Sequence, residues 1–399
     1  MPTADPVLFV SDHVSGSVDV VHLPDGAVAH RLTGRHLSEH AGFLALPGGR
    51  VACVDDRRGE LLVLAPHGDR LVESATPVAV PAEHLASDPS GRLVAVTTGL
   101  GENAEPWSDL VTVVDLGTGE VSRVRTRVGE PGVTVLGGGD PLVVLRHREP
   151  GGLAVHRFAE LLAAPPGCPL VAPHALLPLP GDGHGDAQLP SARQVFAATG
   201  EGVHRARREG DGLAAEGVIP WESPARGWYL RLDTRRQALC STLRGGPPEP
   251  ARWPEWSNEA WHHDLRTGRT HRTALGPGLV FRLALTKSGT AFTRVHPDGD
   301  ELILLDAGDG LRRVPLPAMD GAPRRGGTPW DGVERRALAA SPGSDLVAVS
   351  RGGHGEVHVV DARTGAEVNR LRLTAPLHHG GHLAMRTRDD GAEGDPVGR

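Results

Sequence analysis

Histidines at comparable places in a repeating pattern are the most reactive feature of this sequence. The chain has 21 histidines among 399 residues. His40, His84 and His184 each precede a turn between two apolar strands, by nine, seven and nine residues. Because these offsets are all odd, the three side chains share one face of their sheets. Neutral imidazoles suit Zn²⁺ and other borderline divalent metals, so these three and His379 are the predicted metal ligands.

Carboxylates accompany the same histidines. Glu39 and Glu83 stand directly before two of them, and Asp186 stands two residues after a third. Such carboxylates orient metal-bound imidazoles or act as acid–base groups, so we assign these three as catalytic residues. The alternative is that each histidine only hydrogen-bonds a neighbouring sheet. Three other histidines are expected on outer strands or turns, in contact with solvent: His67, His147 and His156.

Four further side chains are predicted to bind a substrate. Arg282 stands seven residues before Gly289 and has the same strand parity as the histidines, so it is suited to an anionic group. Arg226 and Trp228 flank a glycine where another strand is expected to start. Trp256 belongs to a Trp-containing insertion at residues 244–258, which could stack on a ligand. The alternative for this insertion is a surface loop held by its own aromatic side chains.

The elements that position these residues are short strands joined by tight turns. One recurring unit places a turn between two apolar strands, and in the other an Asp ends a strand shortly before a glycine. Strands of this length, recurring every 8–12 residues without an amphipathic helix between them, are typical of an all-β fold. Examples of the two units are LPGGRVACV (46–54), DPSGRLVAV (88–96), VVDLGTGEV (113–121) and VVDARTGAEV (359–368).

The spacing of the larger repeat predicts a β-propeller. Innermost strands are expected to begin near His40, His84, Pro131, His184, Arg226, Val280, Arg336 and His379, at intervals of 42–56 residues. Each interval holds four strands, as in a propeller blade. We predict eight blades, with seven as the alternative because residues 130–220 are weakly patterned. The starts of the innermost strands would converge on one mouth of the central channel and carry the candidate residues there.

The two ends of the chain are expected to close the ring. The N-terminal unit offers three strands and lacks an inner one, whereas PLHHGGHLAM (376–385) is one strand without a blade. Pairing them would remove two exposed sheet edges. The sequence therefore predicts a single propeller over residues 1–385, followed by a polar tail at 386–399.

Composition narrows the possible partners and cofactors. The net charge of −7 and the pI near 6.3 give no basic footprint for nucleic acid. No membrane-length apolar run or export signal is visible, so we expect no membrane partner and a cytoplasmic protein. The three cysteines fit neither a disulfide framework nor a CxxC metal site. No dinucleotide fingerprint or P-loop is present, so no nucleotide cofactor is expected.

Residues 182–315 resemble a known family. The runs RGWYLRLDTRRQALC and EAWHHDLRTGR are similar to the YVTN-type propeller of methylamine-dehydrogenase heavy chains. That resemblance implies a propeller that docks a small subunit bearing a quinone, but nothing in this chain supplies a quinone. The element His184-Gly185-Asp186 also resembles periplasmic zinc-chaperone propellers, which implies metal binding.

Three functions remain open at this point. The first is a small-molecule enzyme with a His/carboxylate site at the channel mouth, holding a divalent metal such as Zn²⁺ or using acid–base chemistry of the lyase, cyclase or hydrolase type. The second is a metal-binding or carrier protein that uses the same residues without turnover. The third is a protein-interaction scaffold, a common role of propellers.

Overall fold

The protein is an eight-bladed β-propeller, as predicted, and the alternative of seven blades is wrong. The computed structural model describes residues 6–23, 25–67, 70–99, 109–129, 132–308, 310–387, 390 and 396–397. Eight antiparallel sheets of four or five strands follow one another. Each sheet contacts the next through its inner strands, and the sheet that contains the C-terminal inner strand contacts the sheets on both sides of it. The sheets therefore form a closed ring.

The first half of the chain supplies four blades and part of the closing blade. The closing blade takes β1 (Val7–Asp12), β2 (Ser17–His22) and β3 (Val28–Thr33). The next contains β4 (Phe43–Ala45), β5 (Val51–Asp55), β6 (Glu60–His67) and β7 (Arg70–Pro77). Then come β8 (Ala82–Ser87), β9 (Leu93–Thr98), β10 (Leu110–Asp115) and β11 (Glu120–Arg125). These are followed by β12 (Gly132–Leu136), β13 (Leu142–His147), β14 (Gly152–Arg157), the short helix α1 (Phe158–Leu162) and β15 (Ala175–Pro178). The fourth of these blades has β16 (Asp186–Leu189), β17 (Gln194–Ala198), β18 (Gly202–Glu209) and β19 (Gly212–Pro220).

The second half completes the ring. One blade contains β20 (Arg226–Gly227), β21 (Arg231–Asp233), β22 (Ala238–Gly245), β23 (Ser257–Asp264) and β24 (Thr270–Ala274). Another contains β25 (Leu279–Leu285), β26 (Gly289–Val295), β27 (Asp300–Asp306) and β28 (Leu311–Leu316). The next contains β29 (Leu338–Ala340), β30 (Leu346–Arg351), β31 (Glu356–Asp361) and β32 (Glu367–Arg372). The chain ends with β33 (His382–Arg386) and β34 (Pro396–Val397). Each innermost strand begins within three residues of its predicted start.

Strand burial follows position within a blade. β5 and β13 are buried along their whole length, whereas β3 and β11 are mostly exposed. Inner and middle strands lie between two neighbouring blades, so both of their faces are covered and their sequences are nearly continuous apolar runs. The expectation that His147 and His156 meet solvent is wrong for this reason. They lie on the second and third strands of their blade and are only 1% and 2% exposed.

The repeated Asp–Gly turns form as the sequence predicts. At the β10–β11 turn the Asp115 carboxylate accepts a hydrogen bond from the backbone N–H of Gly117 at 2.8 Å. Gly119 completes this turn with φ +77°, a conformation that residues with a Cβ rarely adopt. Asp361 plays the same role between β31 and β32, where it accepts from the N–H of Arg363 at 3.0 Å.

The C-terminal strand closes the ring as predicted. β33 pairs antiparallel with β1, with Ser11 opposite His382 and Val7 opposite Arg386. β33 thus includes Arg386, which the sequence analysis places in the polar tail, and β34 pairs with β4. The rest of the predicted tail lies largely outside the described residues. No helix in the described part of the chain is long and apolar enough to cross a membrane.

Candidate functional site

A cavity of about 560 Å³ lies where the innermost strands begin. We call it the mouth cavity. Most of its lining residues stand just before or within the first part of these strands, and Arg148 lies in the turn between β13 and β14. The blades thus converge there as expected. The cavity is lined by Glu39, His40, Arg148, Gly181, Asp182, His184, Arg226, Trp228, Tyr229, Phe281, Arg282 and Arg335. Six of the predicted site residues are in this set.

A second and much smaller cavity, of about 70 Å³, contains His84 and Asp186 and shares His184 with the mouth cavity. His84 Nε2 is buried and has no hydrogen-bond partner in the described chain. Burial, reinforced by the positive charges of Arg146 and Arg148, lowers the pKa of His84 to about 3. This imidazole is therefore neutral at physiological pH.

His184 is held by cations and aromatic rings. Its Nδ1 lies 2.6 Å from Nη2 of Arg148, and its ring packs edge-on against Trp228 and Tyr229 with centroids 5.6 and 5.8 Å away. Burial, followed by the charges of Arg146 and Arg148, keeps the pKa of His184 well below its ordinary value. A metal ion at His184 would have to use Nε2 beside two guanidinium groups, which disfavours the predicted ligand role.

Asp186 is engaged by an arginine. Its Oδ1 accepts a hydrogen bond from Arg146 Nε at 2.8 Å, and the Arg146 side chain is 3% exposed. Gly132 allows this close packing, since a Cβ there would lie 2.1 Å from Asp186 Oδ2. The carboxylate thus compensates a buried guanidinium, which leaves it poorly suited to the predicted catalytic role.

Glu83 and His40 face each other across two blades. Glu83 Oε2 lies 3.7 Å from His40 Nδ1, and the glutamate side chain is fully buried whereas the histidine is 33% exposed. Glu83 therefore lies within ion-pair distance of His40 at the edge of the mouth cavity. The predicted trio of His40, His84 and His184 does reach one end of the channel, but their nitrogens do not form a compact ligand set in the described chain.

Three other donors do form a compact set, which we call the seam cluster: His13, Glu39 and His379. One nitrogen or oxygen from each lies within 4.8 Å of the other two, and no other group of the described residues meets this criterion. His379 Nδ1 is 3.3 Å from Glu39 Oε1, and the two imidazole centroids are 5.6 Å apart. Two predicted residues, Glu39 and His379, are therefore joined by His13, which we did not predict.

The protonation states of the seam cluster suit metal binding. Burial raises the pKa of Glu39, but the charge of His13, the hydrogen bond to His379 and the charges of His379 and His40 together outweigh it, so the net shift is downward. Burial lowers the pKa of His13 despite the nearby Glu39. An ionised carboxylate beside a neutral imidazole is the form in which both bind a metal ion.

Ring closure brings His13 into the seam cluster. His13 follows Asp12, the last residue of β1, and β1 is antiparallel to β33, so the turn at 378–380 lies beside it. Asp12 fixes that turn by accepting hydrogen bonds from the backbone N–H of His378 at 2.8 Å and from its ring at 3.2 Å. The sequence predicts this closure without its register. An antiparallel pairing of residues 7–13 with residues 376–385 would bring His13 next to the histidine run, and this signal could have identified His13.

Trp256 does not reach the mouth cavity. It is 6% exposed and packs with Trp253 and Trp330 in a separate hydrophobic cluster, and its Nε1 donates to the carbonyl of Pro247 at 2.8 Å. The insertion is thus an ordered loop held by its own aromatic side chains. The predicted substrate-binding role of Trp256 is not supported, because its ring is covered by protein.

The buried histidines predict a loss of stability in mild acid. Burial lowers the pKa of His147 to about 3, reinforced by Arg127, and that of His156 to about 4, reinforced by His174. Between these values and about 6.5 the unfolded chain binds more protons than the folded one, so stability falls as pH decreases. Each histidine should remove up to about 1.4 kcal/mol per pH unit below pH 6.5.

Urea unfolding at pH 7.5, 6.5, 5.5 and 5.0 measures this effect. In the variant His156→Phe, the free energy of unfolding should change less steeply with pH, by the amount that corresponds to about one bound proton. The variant His67→Phe, at an exposed position, should show the same dependence on pH as the wild type. A slope unchanged by His156→Phe would contradict the assignment.

Comparisons with known proteins show a similarity of fold and no significant similarity of sequence. No protein-family model matches the chain, and a search of curated proteins gives no significant match. Two structures of AztD from Citrobacter koseri, one of them apo, superpose with a TM-score of 0.66 at 11% and 12% identity, covering 96% of this chain and 98% of theirs. The dihydro-heme d1 dehydrogenase NirN in complex with DHE gives a TM-score of 0.61 at 16% identity, covering 98% of this chain and 76% of NirN. These similarities show the propeller fold, and nothing in them supports a specific methylamine-dehydrogenase relationship.

Proposed function

We propose that this propeller binds a divalent metal ion, most readily Zn²⁺, at the seam cluster of His13, Glu39 and His379. The supporting observation is the convergence of three ligand atoms within 4.8 Å. Two imidazoles and a carboxylate are a common zinc ligand set, and three protein ligands leave a fourth position for water or a transferred ligand.

Exposure favours an exchangeable ion. The side chains of Glu39 and His379 are 47% and 39% exposed, so the ion can enter and leave without opening the fold. Structural zinc sites are usually closed by four protein ligands. The seam cluster therefore fits a metal-binding or carrier role better than a structural one. The sequence likeness to zinc-chaperone propellers agrees with this role, although its His184-Gly185-Asp186 element is bound to arginines here.

Zinc titration of metal-free protein tests the proposal. We expect one equivalent to bind wild-type protein. Losing even a residue that supports a metal ligand typically costs about 10- to 100-fold in affinity, so His13→Ala and Glu39→Gln, which each remove a ligand, should weaken binding at least that much. Isothermal titration calorimetry with a competing chelator measures the affinity, and circular dichroism checks the fold. His67→Ala, at an exposed site on β6, is the control. Wild-type affinity in both site variants, or an equal loss in the control, would refute the proposal.

A small-molecule enzyme is the second candidate, because Glu39 belongs to the seam cluster and also lines the mouth cavity. A metal held there could polarise a substrate bound in that cavity. The structural similarity to NirN, a dehydrogenase, is compatible with such a use of the fold. With 4-nitrophenyl acetate as a probe, faster hydrolysis by zinc-loaded wild type than by Glu39→Gln would favour the enzyme, whereas equal rates would favour the carrier.

A further inference from the structure

The mouth cavity carries more positive than negative charge. Its lining includes four arginines: Arg148, Arg226, Arg282 and Arg335. Its two carboxylates are Glu39 and Asp182, and both have partners, since Asp182 Oδ2 lies 3.4 Å from Arg226 Nη1 and Glu39 is bonded to His379. The cavity is thus electrostatically suited to an anion.

Arg282 is the least compensated of these cations. Its Nε and Nη1 are shielded from solvent, and no acceptor in the described chain bonds to them. Burial lowers the pKa of Arg282 to about 10, with Tyr229 opposing the shift and Arg335 and Arg231 adding to it. The guanidinium nevertheless stays charged at neutral pH. The residue as a whole is partly buried. Guanidinium N–H groups that are shielded from water and unpaired are costly, so a residue kept in this state points to a partner that comes from outside the chain.

Arg335 also lies near an aromatic ring that Arg282 approaches, that of Phe281. The guanidinium of Arg282 is 4.8 Å from the centroid of Phe281, and that of Arg335 is 6.0 Å from it. Arg335 Nη2 donates to the carbonyl of Trp330, whereas its Nε has no partner in the described chain. Two guanidinium groups at one wall, each with unused N–H donors, match the geometry by which arginine binds carboxylates.

The remaining wall is aromatic. Phe281 meets Tyr229 edge-to-face, with centroids 5.6 Å apart and planes at 86°. Trp228 lines the cavity as well, and the guanidinium of Arg226 lies 4.3 Å from its ring centroid. A volume of about 560 Å³ is within the range of small-molecule sites. Flat apolar walls favour a planar ring over a flexible aliphatic chain, because the ring loses little conformational entropy on binding.

We propose that the mouth cavity binds a small planar organic carboxylate, with its carboxylate group at Arg282 and Arg335 and its ring against Phe281 and Tyr229. The side chains that would bind this ligand are not members of the seam cluster, although Glu39 of that cluster lines the same cavity. The ligand therefore binds whether or not a metal is present.

Fluorescence titration with 2-naphthoate tests the site in protein freed of metal by EDTA, so the result does not depend on the proposed metal binding. We expect saturable binding, at least 10-fold tighter than binding of the neutral 2-naphthamide. Arg282→Met and Arg335→Met should each weaken 2-naphthoate binding at least 10-fold, whereas Arg282→Lys, which keeps the charge, should lose less. Arg123→Met, on the exposed strand β11, is the control and should bind as the wild type does.

Thermal unfolding separates a binding role from a structural one. Because Arg282→Met removes a charge whose shielded N–H groups have no acceptor in the described chain, its Tm should equal or exceed that of the wild type while its affinity falls. The proposal is overturned if 2-naphthoate fails to bind at 5 mM, if the amide binds as tightly, or if both arginine variants bind as the wild type does.

Discussion

Deletion of residues 382–399 is expected to unfold the protein. The deletion removes β33, whose five paired residues form the inner edge of the closing blade. Leu383, Ala384 and Met385 are at most 2% exposed, and they pack into the cores on both sides of this blade. Losing them costs about 5–10 kcal/mol by analogy with large-to-small core changes, which is comparable with the entire stability of a typical domain. The deletion also leaves β1 without its partner β33 and β4 without its partner β34, and such unpaired edges favour aggregation.

Circular dichroism, size-exclusion chromatography and thermal unfolding would show the effect. The matched control ends at Asp390 and lacks only residues 391–399. It retains β33 and the contact in which Ser341 Oγ donates to the Asp390 carboxylate at 2.6 Å. We expect this control to remain folded. A folded, monomeric protein ending at residue 381 would contradict the role assigned to β33.

Replacement of Asp186 by alanine should destabilise the protein by about 3–5 kcal/mol, the usual cost of breaking a buried ion pair. The Arg146 side chain is 3% exposed, and Asp186 is its carboxylate partner at 2.8 Å. Without Asp186 the guanidinium keeps its hydrogen bond to the carbonyl of Gly183 at 2.7 Å but loses its counter-ion. The double variant Asp186→Ala/Arg146→Met should recover much of the loss, because it removes the orphaned charge.

Urea unfolding at pH 7.5 measures these changes. The control is Asp298→Ala, which breaks an ion pair with Arg325 of similar length, 2.7 Å, at a site where both side chains are at least 60% exposed. That change should cost less than about 1 kcal/mol. If Asp186→Ala were as mild as Asp298→Ala, the carboxylate would be free for the catalytic role that the sequence first suggested.

The proposed metal site and the closure of the ring are coupled through the chain termini. His13 follows the first strand, and His379 precedes the strand that pairs with it. An ion held by both histidines would join the two ends of the polypeptide at the seam. A ligand that binds only the folded state adds to its stability by mass action. A bound metal ion would therefore also stabilise the pairing of β1 with β33 that forms its site.

The sequence by itself determined the architecture. Asp–Gly turns, apolar strands and the spacing of inner strands are local signals, because each depends on residues close together in the chain. The closing strand was also predictable, since the N-terminal unit lacks an inner strand and the C-terminal segment is one strand without a blade, so that pairing them completes a sheet. These signals placed Glu39, His40, His184 and Arg282 at one mouth of the channel.

Only the tertiary structure decided which side chains share a site there. Strand parity fixes the face on which a side chain lies, but the approach of two side chains from different blades depends on the tilt of the blades and on competing partners. Arg146 and Arg148 therefore occupy the oxygen of Asp186 and the nitrogen of His184 that a metal ion would otherwise use. The pairing of β1 with β33, in turn, sets His13 beside His379, although 366 residues separate them in the sequence.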